Sequence, residues 1–247
     1  MIGKPEAVPY VSIVIPSFNS AAILEKNLPL LLDHLSREKY TFEVIVVDDG
    51  SRDRADAAAV SKKCNVSFLQ NERNLGKGAS VRKGMVNATG RFRIFTDVDI
   101  PFDMDHFNSF LRYLDFKEFD LVLGDRTLPG STYFTEIPWS RKMGSDIFSF
   151  IVGNFIVGGW YDTQCGMKGF KAEVAEDIFG VGKINGFAFD VELIYIALKR
   201  NYDVKRLPVR LRSQEGSSVS VLKHGIAMLF DILRIKWYYI RSKYSGK

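Results

Sequence analysis

Two aspartates separated by one residue carry the strongest chemical signal in the sequence. Asp97 and Asp99 flank Val98 in a D-V-D triplet that directly follows the run RFRIFT. In an extended segment alternate side chains point the same way, so both carboxylates would lie on one side of the chain. Such carboxylates repel each other unless a cation lies between them, and Mg²⁺ is commonly held by carboxylates plus substrate phosphates. The spacing predicts a metal–diphosphate site; for the triplet alone, a solvated acidic loop is the alternative.

A second acidic pair, Asp48 and Asp49, follows the apolar run FEVIVV. An acidic residue after the second strand of an α/β unit can accept hydrogen bonds from a nucleoside, whereas an ordinary Asp-Gly turn is the alternative. If the two strands are parallel, both acidic pairs leave the sheet at the same edge. Four acids at one edge are unfavourable without a cation or a hydrogen-bonding ligand.

Basic residues follow other predicted strands. The stretch NLGKGAS (74–80) is a glycine-bearing turn that opens a helix, where backbone N–H groups and Lys77 can face an anion, or the turn simply begins the helix. It lacks the Walker A spacing. Arg126, Arg141 and Lys142 flank a loop rich in Gly and Pro, and arginine often contacts phosphate through two hydrogen bonds. Ordinary solvated surface arginines are the alternative.

The elements that must position these residues alternate between strand and helix. Apolar runs predict strands at Val11–Ile15, Phe42–Val47, Val66–Gln70, Arg91–Thr96 and Leu121–Gly124. Helical spacing from Ile23 to Leu35, and then at Asp53–Lys63 and Gly78–Ala88, fills the gaps between them. Later segments predict a helix at Phe187–Arg200 and a strand at Val204–Arg212 that is broken by Pro208. This alternation predicts an α/β fold with a mostly parallel sheet, helices on both faces, and ligands at the carboxyl ends of the strands.

Composition indicates a globular chain with some affinity for anions. The 247 residues are 46% hydrophobic and carry a net charge of +5, which suits phosphate ligands or an anionic membrane surface. The two cysteines lack metal-ligand spacing, and residues 1–10 lack the apolar core of a secretory signal. No run is long and apolar enough to predict a membrane span. Residues 147–161 and 219–244 are instead candidates for lying on a membrane, with packing inside the protein as the alternative.

Eight stretches together resemble the family-2 glycosyltransferases of GT-A (Rossmann-like) fold, and are most similar to the polyprenyl- or dolichyl-phosphate glucosyl and mannosyl synthases. In chain order they are VSIVIPSFNS, FEVIVVDDGSRD, NLGKGASVRKGMVNATG, DVDIPF, GDR, SRKMGS, CGMKGF and FAFDVEL. The resemblance implies a glycosyltransferase domain over residues 1–218, with a possible membrane-interface segment at 139–161. Residues 219–247 are then a C-terminal amphipathic helix.

The resemblance also implies roles for individual residues. Nucleotide and donor binding falls to Pro16, Phe18, Asn19, Asp48, Asp49, Lys77 and Val98. Asp97 and Asp99 hold Mg²⁺ or Mn²⁺ on the donor diphosphate. Arg126, Arg141 and Ser145 match positions that bind the phosphates or the acceptor, and Arg212 matches a basic residue of a mobile loop. Asp97, Asp99, Arg126 and Arg141 are thus the expected catalytic set. Pro101 stands where mannosyl relatives commonly have Gln, and Ser218 stands where relatives often have the Lys of a late Gly-Ser-Lys, so the donor sugar and the loop contacts stay open. The stretches DVDIPF and NLGKGA look more like the glucosyl kind.

The expected activity is inverting transfer of a hexose from a nucleotide-sugar, of the UDP-glucose or GDP-mannose type, to a polyprenyl phosphate. The expected location is the cytoplasmic face of a membrane, as a peripheral protein, with no nucleic-acid partner and with a homo-oligomer or membrane-protein partner left open. One alternative is transfer to a glycan hydroxyl, which would need a base such as Asp190 or Glu192. Another is a catalytically inactive nucleotide-sugar-binding or membrane-adaptor protein.

Overall fold

The computed structural model describes residues 8–132, 152–153, 156–160, 162–212 and 221–244. Within these residues seven strands form one sheet, and their order across it is 3-2-1-4-6-5-7 in sequence numbering. The strands are β1 (Val11–Ser17), β2 (Phe42–Asp48), β3 (Ser67–Gln70), β4 (Phe92–Phe95), β5 (Leu121–Asp125), β6 (Lys168–Lys171) and β7 (Val204–Pro208).

Strand direction confirms the predicted mostly parallel α/β sheet. β1 pairs in parallel with β2 and β4, β2 with β3, and β5 with β7. Among the described strands β6 alone runs antiparallel to its neighbours, and it lies between β4 and β5. Because β6 runs the other way, its first residues lie where β4 and β5 end, so the segment CGMKG reaches the edge at which the acidic pairs leave the sheet.

Seven helices of the described residues surround the sheet. They are α1 (Ala21–Ser36), α2 (Arg54–Lys63), α3 (Lys77–Asn87), α4 (Asp105–Asp115), α5 (Ala172–Val181), α6 (Phe189–Lys199) and α7 (Val221–Ile240). Alternate residues of β1 face opposite cores, since Val14 packs with α3, α5 and α6, whereas Ile13 and Ile15 pack with α1 and α4. The prediction of helices on both faces is therefore confirmed.

Several element bounds differ from those expected. β1 continues to Ser17 through Pro16, which lies beyond Val14, the last β1 residue that pairs with β4. The missing N–H of Pro16 therefore breaks no pairing on that side. The predicted strand at 204–212 ends at Pro208, and only isolated bridges follow, from Arg210 to Thr132 and from Leu211 to Phe102.

The last helix, α7, is the amphipathic C-terminal helix that the sequence predicts, and it packs on α6. In the part of the chain that the structure describes, no helix combines the length and the apolar character needed to cross a membrane.

Candidate functional site

Both acidic pairs leave the sheet at one edge. Asp48 is the last residue of β2 and aligns with Ser17, the last residue of β1, while the D-V-D triplet follows β4 on the other side of β1. Since β1, β2 and β4 are parallel, their carboxyl ends share one edge, which is where ligands bind in open α/β sheets. The geometry therefore brings together the acids that the sequence singles out.

Asp97 is held by two neighbours that arrive from distant parts of the chain. Its Oδ1 lies 2.5 Å from the ammonium of Lys77, at the start of α3. Burial alone would lower the pKa of Lys77, but the carboxylates of Asp97, Asp190 and Asp99 outweigh it and raise that pKa. On the other side, a Cβ placed on Gly166 would lie 2.0 Å from Asp97 Oδ2, so a larger residue there would displace the carboxylate. Asp97 is therefore fixed in place, with its charge already partly neutralised.

Asp99 and Val98 are half-buried members of a tight turn. Ile100 adopts a positive φ of 40°, and its N–H donates to the Asp97 carbonyl at 3.0 Å. A β-branched residue with positive φ is a strained conformation, of the kind that clusters at functional sites. Asp99 is thus half-buried, and the charge of its carboxylate acts on the same Lys77 ammonium that pairs with Asp97.

The Asp48 carboxylate is buried and only half satisfied by the protein. Its Oδ2 accepts the N–H of Ser51 at 3.0 Å, whereas Oδ1 has no protein partner among the described residues. The hydroxyls of Ser17, at the end of β1, and of Thr96, directly after β4, are likewise buried and have no partner among the described residues. Because buried polar atoms are nearly always paired, three such atoms at one strand edge favour a polar ligand.

Asp49 does a different task from its neighbour. Its oxygens accept hydrogen bonds from the Asn71 side chain at 2.8 Å and from the backbone N–H groups of Leu75 and Gly76 at 2.9 and 2.8 Å. The turn also depends on Gly76, whose φ is 103° and whose absent Cβ would meet the Asn185 carbonyl at 2.5 Å. Asp49 thus positions the turn that delivers Lys77, and its oxygens are occupied by the protein.

The end of β1 forms a neighbouring wall. Pro16 is buried in the strand, and Phe18 exposes 45% of its surface. Asn19 has a φ of 48°, donates its N–H to Ser51 Oγ at 2.8 Å and accepts the Arg52 N–H on its side chain at 2.9 Å. This network ties the loops after β1 and β2 together and leaves the Phe18 ring available for stacking.

Arg126 is held by Asp162, which the sequence did not indicate as a site residue. Asp162 accepts its backbone N–H at 2.6 Å and its Nε and Nη2 at 2.9 and 2.7 Å. Burial would raise the pKa of Asp162, but these bonds and the guanidinium charge lower it. Arg126 therefore stands next to the end of β5 in a fixed orientation. The other predicted phosphate ligands, Arg141 and Ser145, lie outside the described residues, as does most of the segment 139–161.

Arg212, the predicted loop cation, is exposed just outside the D-V-D turn. Its backbone N–H donates to the carbonyl of Pro101 at 2.7 Å, and Asp103 N–H donates to the Arg210 carbonyl at 2.9 Å. These two hydrogen bonds join the segment after β7 to the residues that follow Asp99. Arg212 therefore lies near the D-V-D triplet.

The two candidate bases on α6 are both engaged by the protein. Asp190 is buried and forms an ion pair of 2.5 Å with Lys168 of β6; burial raises the pKa of Asp190, and the Lys168 ammonium opposes that shift. Glu192 accepts the N–H groups of Lys183 and Ile184 at 2.8 and 2.9 Å and the Tyr244 hydroxyl at 2.7 Å. Both carboxylates are therefore engaged in contacts within the protein.

The two carboxylates of Asp97 and Asp99 suit a metal ion whose remaining ligands come from a substrate and from water. Among the described residues no three His, Cys, Asp or Glu side chains converge as a complete site. Two aspartates at a strand edge are what Mg²⁺ or Mn²⁺ needs when a diphosphate and water supply the remaining oxygens. The residues therefore fit such a cation, provided that the Lys77 ammonium yields or shares Asp97 Oδ1.

Comparison with known proteins adds a family. The sequence profile described as "Glycosyl transferase family 2" matches residues 12–179. The dolichyl-phosphate beta-glucosyltransferase of Mus musculus is 31% identical over 274 residues, covering 99% of this chain and 83% of its own length. The protein of the same name from Homo sapiens is 30% identical, covering 96% and 81%. That from Dictyostelium discoideum is 29% identical, covering 94% and 75%.

Among solved structures, glucosyl-3-phosphoglycerate synthase from Mycobacterium tuberculosis shares the fold. Its complex with Mn²⁺, UDP and phosphoglyceric acid matches with a TM-score of 0.69 at 16% identity, covering 98% of this chain and 80% of that one. A second complex, with Mg²⁺ and UDP, matches with a TM-score of 0.68, covering 93% and 78%. At this identity the likeness concerns the fold, which is the GT-A fold expected from the sequence.

Proposed function

Because this chain belongs to glycosyltransferase family 2, we propose that it transfers glucose from a nucleotide-sugar to dolichyl phosphate or a similar polyprenyl phosphate. The observation that carries the proposal is the strand edge that holds the Asp97–Lys77 ion pair, Asp99 and the half-satisfied Asp48. Relatives of about 30% identity, aligned over nearly the whole chain, carry the name dolichyl-phosphate beta-glucosyltransferase. UDP-glucose is the donor to test first, since the structural neighbour binds UDP with Mn²⁺ or Mg²⁺.

In this proposal the donor lies across the carboxyl ends of β1, β2 and β4. The buried acceptor oxygen of Asp48 and the Phe18 ring would meet the nucleoside, by hydrogen bonding and stacking. Asp97 and Asp99 would hold Mg²⁺ or Mn²⁺ at the diphosphate, where the cation supplies charge that stabilises the leaving group. Lys77 would share that task, because its ammonium already faces the same edge.

The chemical step needs little help from a base. A lipid phosphate oxygen attacks the anomeric carbon as the bond from that carbon to the nucleotide diphosphate breaks, with inversion at the sugar. A phosphate monoester is already anionic near neutral pH, so no proton has to be removed before attack. The engagement of Asp190 by Lys168 and of Glu192 by the backbone supports this acceptor over a glycan hydroxyl. The protein's task is then mainly orientation and charge stabilisation.

Such an acceptor places the protein at a membrane surface, and we propose a peripheral position on the cytoplasmic face. In the described residues no helix could cross a membrane. The net charge of +5 favours an anionic leaflet.

The test is a transfer assay with matched donors and acceptors. Purified protein is incubated with radiolabelled UDP-glucose or GDP-mannose, with Mg²⁺, and with dolichyl phosphate, dolichol or an oligosaccharide. We expect label from UDP-glucose in dolichyl phosphate and none in dolichol, which lacks the phosphate. Recovery of the label in the oligosaccharide and not in dolichyl phosphate would favour the glycan acceptor. No transfer from either donor to any of the three acceptors would favour an inactive binding protein.

A further inference from the structure

Among its described side chains, the helix α7 has two apolar faces, and one of them packs against the protein. Met228, Ile232 and Ile235 are buried at 8%, 3% and 0% exposure. They join the core that includes α6, and the ring of Tyr239 lies 5.6 Å from that of Tyr195. This inward face accounts for how the helix is attached.

The attachment is reinforced just beyond the helix. The Tyr244 hydroxyl donates to Glu192 at 2.7 Å, and the Arg200 guanidinium donates to the Tyr244 carbonyl at 2.5 Å. Glu192 is buried, so this bond also satisfies a carboxylate inside the protein. The helix is therefore fixed to the domain in one orientation, and its outward face is a fixed surface.

Of the side chains that the structure describes on that outward face, four are large and apolar, in the order Phe230, Leu233, Trp237 and Ile240. Their exposed fractions are 61%, 65%, 50% and 77%. Spacings of three, four and three residues confine them to an arc of roughly 80° at 3.6 residues per turn, on the side away from Met228, Ile232 and Ile235. We call these four residues the outer stripe. Scattered exposed apolar residues are normal, but a continuous stripe marks an interaction surface.

Cationic side chains lie along both borders of the outer stripe. Lys236 is exposed on one side, and Arg234 and Arg241 are exposed on the other, with Lys243 just past the helix end. The Arg241 guanidinium lies 5.4 Å from the centre of the Trp237 ring. Asp231 is the one acid within residues 227–244, and it pairs with Arg234 at 3.1 Å. The surface is thus apolar at its centre and positive at its borders.

We propose that the outer stripe of α7 docks the enzyme on an anionic lipid surface, with the helix lying in the plane of the headgroups. Basic amphipathic helices with Trp, Phe and Leu on the apolar face bind membranes in this way. A second copy fits less well, because self-docking would bring the cationic borders of two helices together. Membrane docking would bring the strand edge to an acceptor that is embedded in lipid. In this respect the docking proposal rests on the proposed function.

The experiment is vesicle flotation, which needs no turnover. Full-length protein is mixed with phosphatidylcholine vesicles that contain or lack 30% phosphatidylglycerol. We expect tighter partitioning onto the anionic vesicles, and at least a tenfold loss in the double variant Leu233→Gln, Trp237→Gln. Lys236→Gln with Lys243→Gln should lose most of the preference for anionic lipid. Phe116→Gln is the matched control, since Phe116 is 76% exposed on another part of the surface, and should bind as the unmodified protein does.

Two outcomes would overturn the proposal. One is equal vesicle binding by the Leu233→Gln, Trp237→Gln variant. The other is concentration-dependent self-association in ultracentrifugation, without vesicle binding, that this variant abolishes; the outer stripe would then be a dimer surface. An assay of glucose transfer to a short, water-soluble isoprenyl phosphate separates the docking proposal from the proposed function, because this acceptor needs no membrane. A variant that fails to bind vesicles but still glucosylates the soluble acceptor supports both, whereas vesicle binding without transfer to any acceptor removes only the function.

Discussion

Lys77 holds Asp97 in the place where a divalent cation would compete for it. The 2.5 Å ion pair partly neutralises the acidic edge. A cation and the ammonium cannot both use Asp97 Oδ1 at full strength, so metal binding without a donor is opposed. Once a diphosphate is present, the ammonium has another anion to contact. If the proposed site is correct, the pairing would therefore favour joint binding of metal and donor.

Lys77→Met tests this competition. We expect the variant to bind Mn²⁺ in the absence of nucleotide roughly tenfold more tightly, since a competing charge at 2.5 Å is removed. UDP affinity should fall, because one cation facing the diphosphate is lost. Titration calorimetry or Mn²⁺ electron paramagnetic resonance measures both quantities. Lys62→Met, at an exposed position of α2, is the control; weaker Mn²⁺ binding by Lys77→Met would show that Lys77 does not compete.

Gly166→Ala tests how tightly Asp97 is positioned. The added methyl group would lie 2.0 Å from Asp97 Oδ2, so the carboxylate must move. We expect transfer to fall at least a hundredfold, because displacement of a group at the reacting centre by about 1 Å has that effect. Gly180→Ala is the matched control: its new methyl group meets nothing within 4 Å in α5, and it should raise stability by about 0.5–1 kcal/mol. Unchanged transfer in Gly166→Ala would show that Asp97 need not stay where it is.

Single residues were predictable from sequence where their chemistry is local. Asp97, Asp99 and Asp48 stand out because each follows an apolar strand and strand direction alone places them at one edge. The roles of Asp162 and Lys168 could not be predicted in this way, because their partners lie far away in sequence. Arg126 is 36 residues from Asp162, and Asp190 is 22 residues from Lys168. Asp49 looks equivalent to Asp48 in sequence, and only the fold shows that its oxygens are filled by Asn71, Leu75 and Gly76.

At the scale of elements, the antiparallel strand β6 does most to assemble the site. It carries Lys168 beneath the sheet edge, where the ammonium pairs with Asp190 at the start of α6 and also donates to the Cys165 carbonyl at 2.7 Å. The same reversed direction sets Gly166 against Asp97. One short strand thereby links the acidic triplet to α6.

Asp190→Asn separates a structural role from a catalytic one. Removal of the carboxylate leaves Lys168 buried without its anion, which should lower the free energy of unfolding by about 3 kcal/mol in denaturant titration. The pH dependence of transfer to dolichyl phosphate should keep its shape, because a phosphate acceptor needs no base. Loss of an ionisation on the acidic side of that profile would instead identify Asp190 as the base and favour a hydroxyl acceptor.

His106 makes the segment after β7 sensitive to acid. Its Nε2 accepts the N–H of Arg210 at 2.8 Å, which only neutral imidazole can do. Burial lowers the pKa of His106 and the Arg210 charge adds to the shift, against the opposing charges of Asp103 and Asp105. A lowered pKa means that the contribution to stability is present above the unfolded value of about 6.5 and is lost as pH falls through the folded value.

The measurement is the free energy of unfolding of His106→Gln and of the unmodified protein between pH 7.5 and 5. An amide oxygen can also accept from Arg210, but it does not titrate. We expect the difference between the two proteins to shift in favour of His106→Gln below pH 6.5, by up to about 1.4 kcal/mol per pH unit. Parallel curves across this range would show that His106 is not linked to stability.

Elements were predictable where hydrophobic spacing is long and regular. β1, β2 and α3 agree with their sequence patterns to within two residues. β6 was missed because K-G-F-K is short and carries two lysines, and its burial depends on the Lys168–Asp190 pair. α4 and α5 were missed although apolar residues recur at helical spacing, as in Phe107, Phe110, Leu111 and Leu114.

At the scale of the whole molecule, two cores on opposite faces of one sheet hold a polar edge between them. The sheet edge gathers residues from β1, β2, β4, β6 and α3, so the site exists only in the complete fold. The family and the fold were predictable from eight ordered stretches, because the order of the motifs reflects the order of the strands. The orientation of the outer stripe of α7 was not predictable from the sequence, since helical periodicity alone does not say which of two apolar faces is covered.

The most direct test is the gain in UDP affinity that Mn²⁺ confers, measured by calorimetry in the unmodified protein, Asp97→Asn and Asp99→Asn. If the two aspartates hold a cation at the diphosphate, Mn²⁺ should tighten UDP binding by roughly tenfold or more in the unmodified protein and hardly at all in either variant. Asp33→Asn, which alters an exposed acid of α1 that pairs with Arg37, should keep the full gain. An undiminished gain in Asp99→Asn would contradict the account, because the cation would then be bound elsewhere.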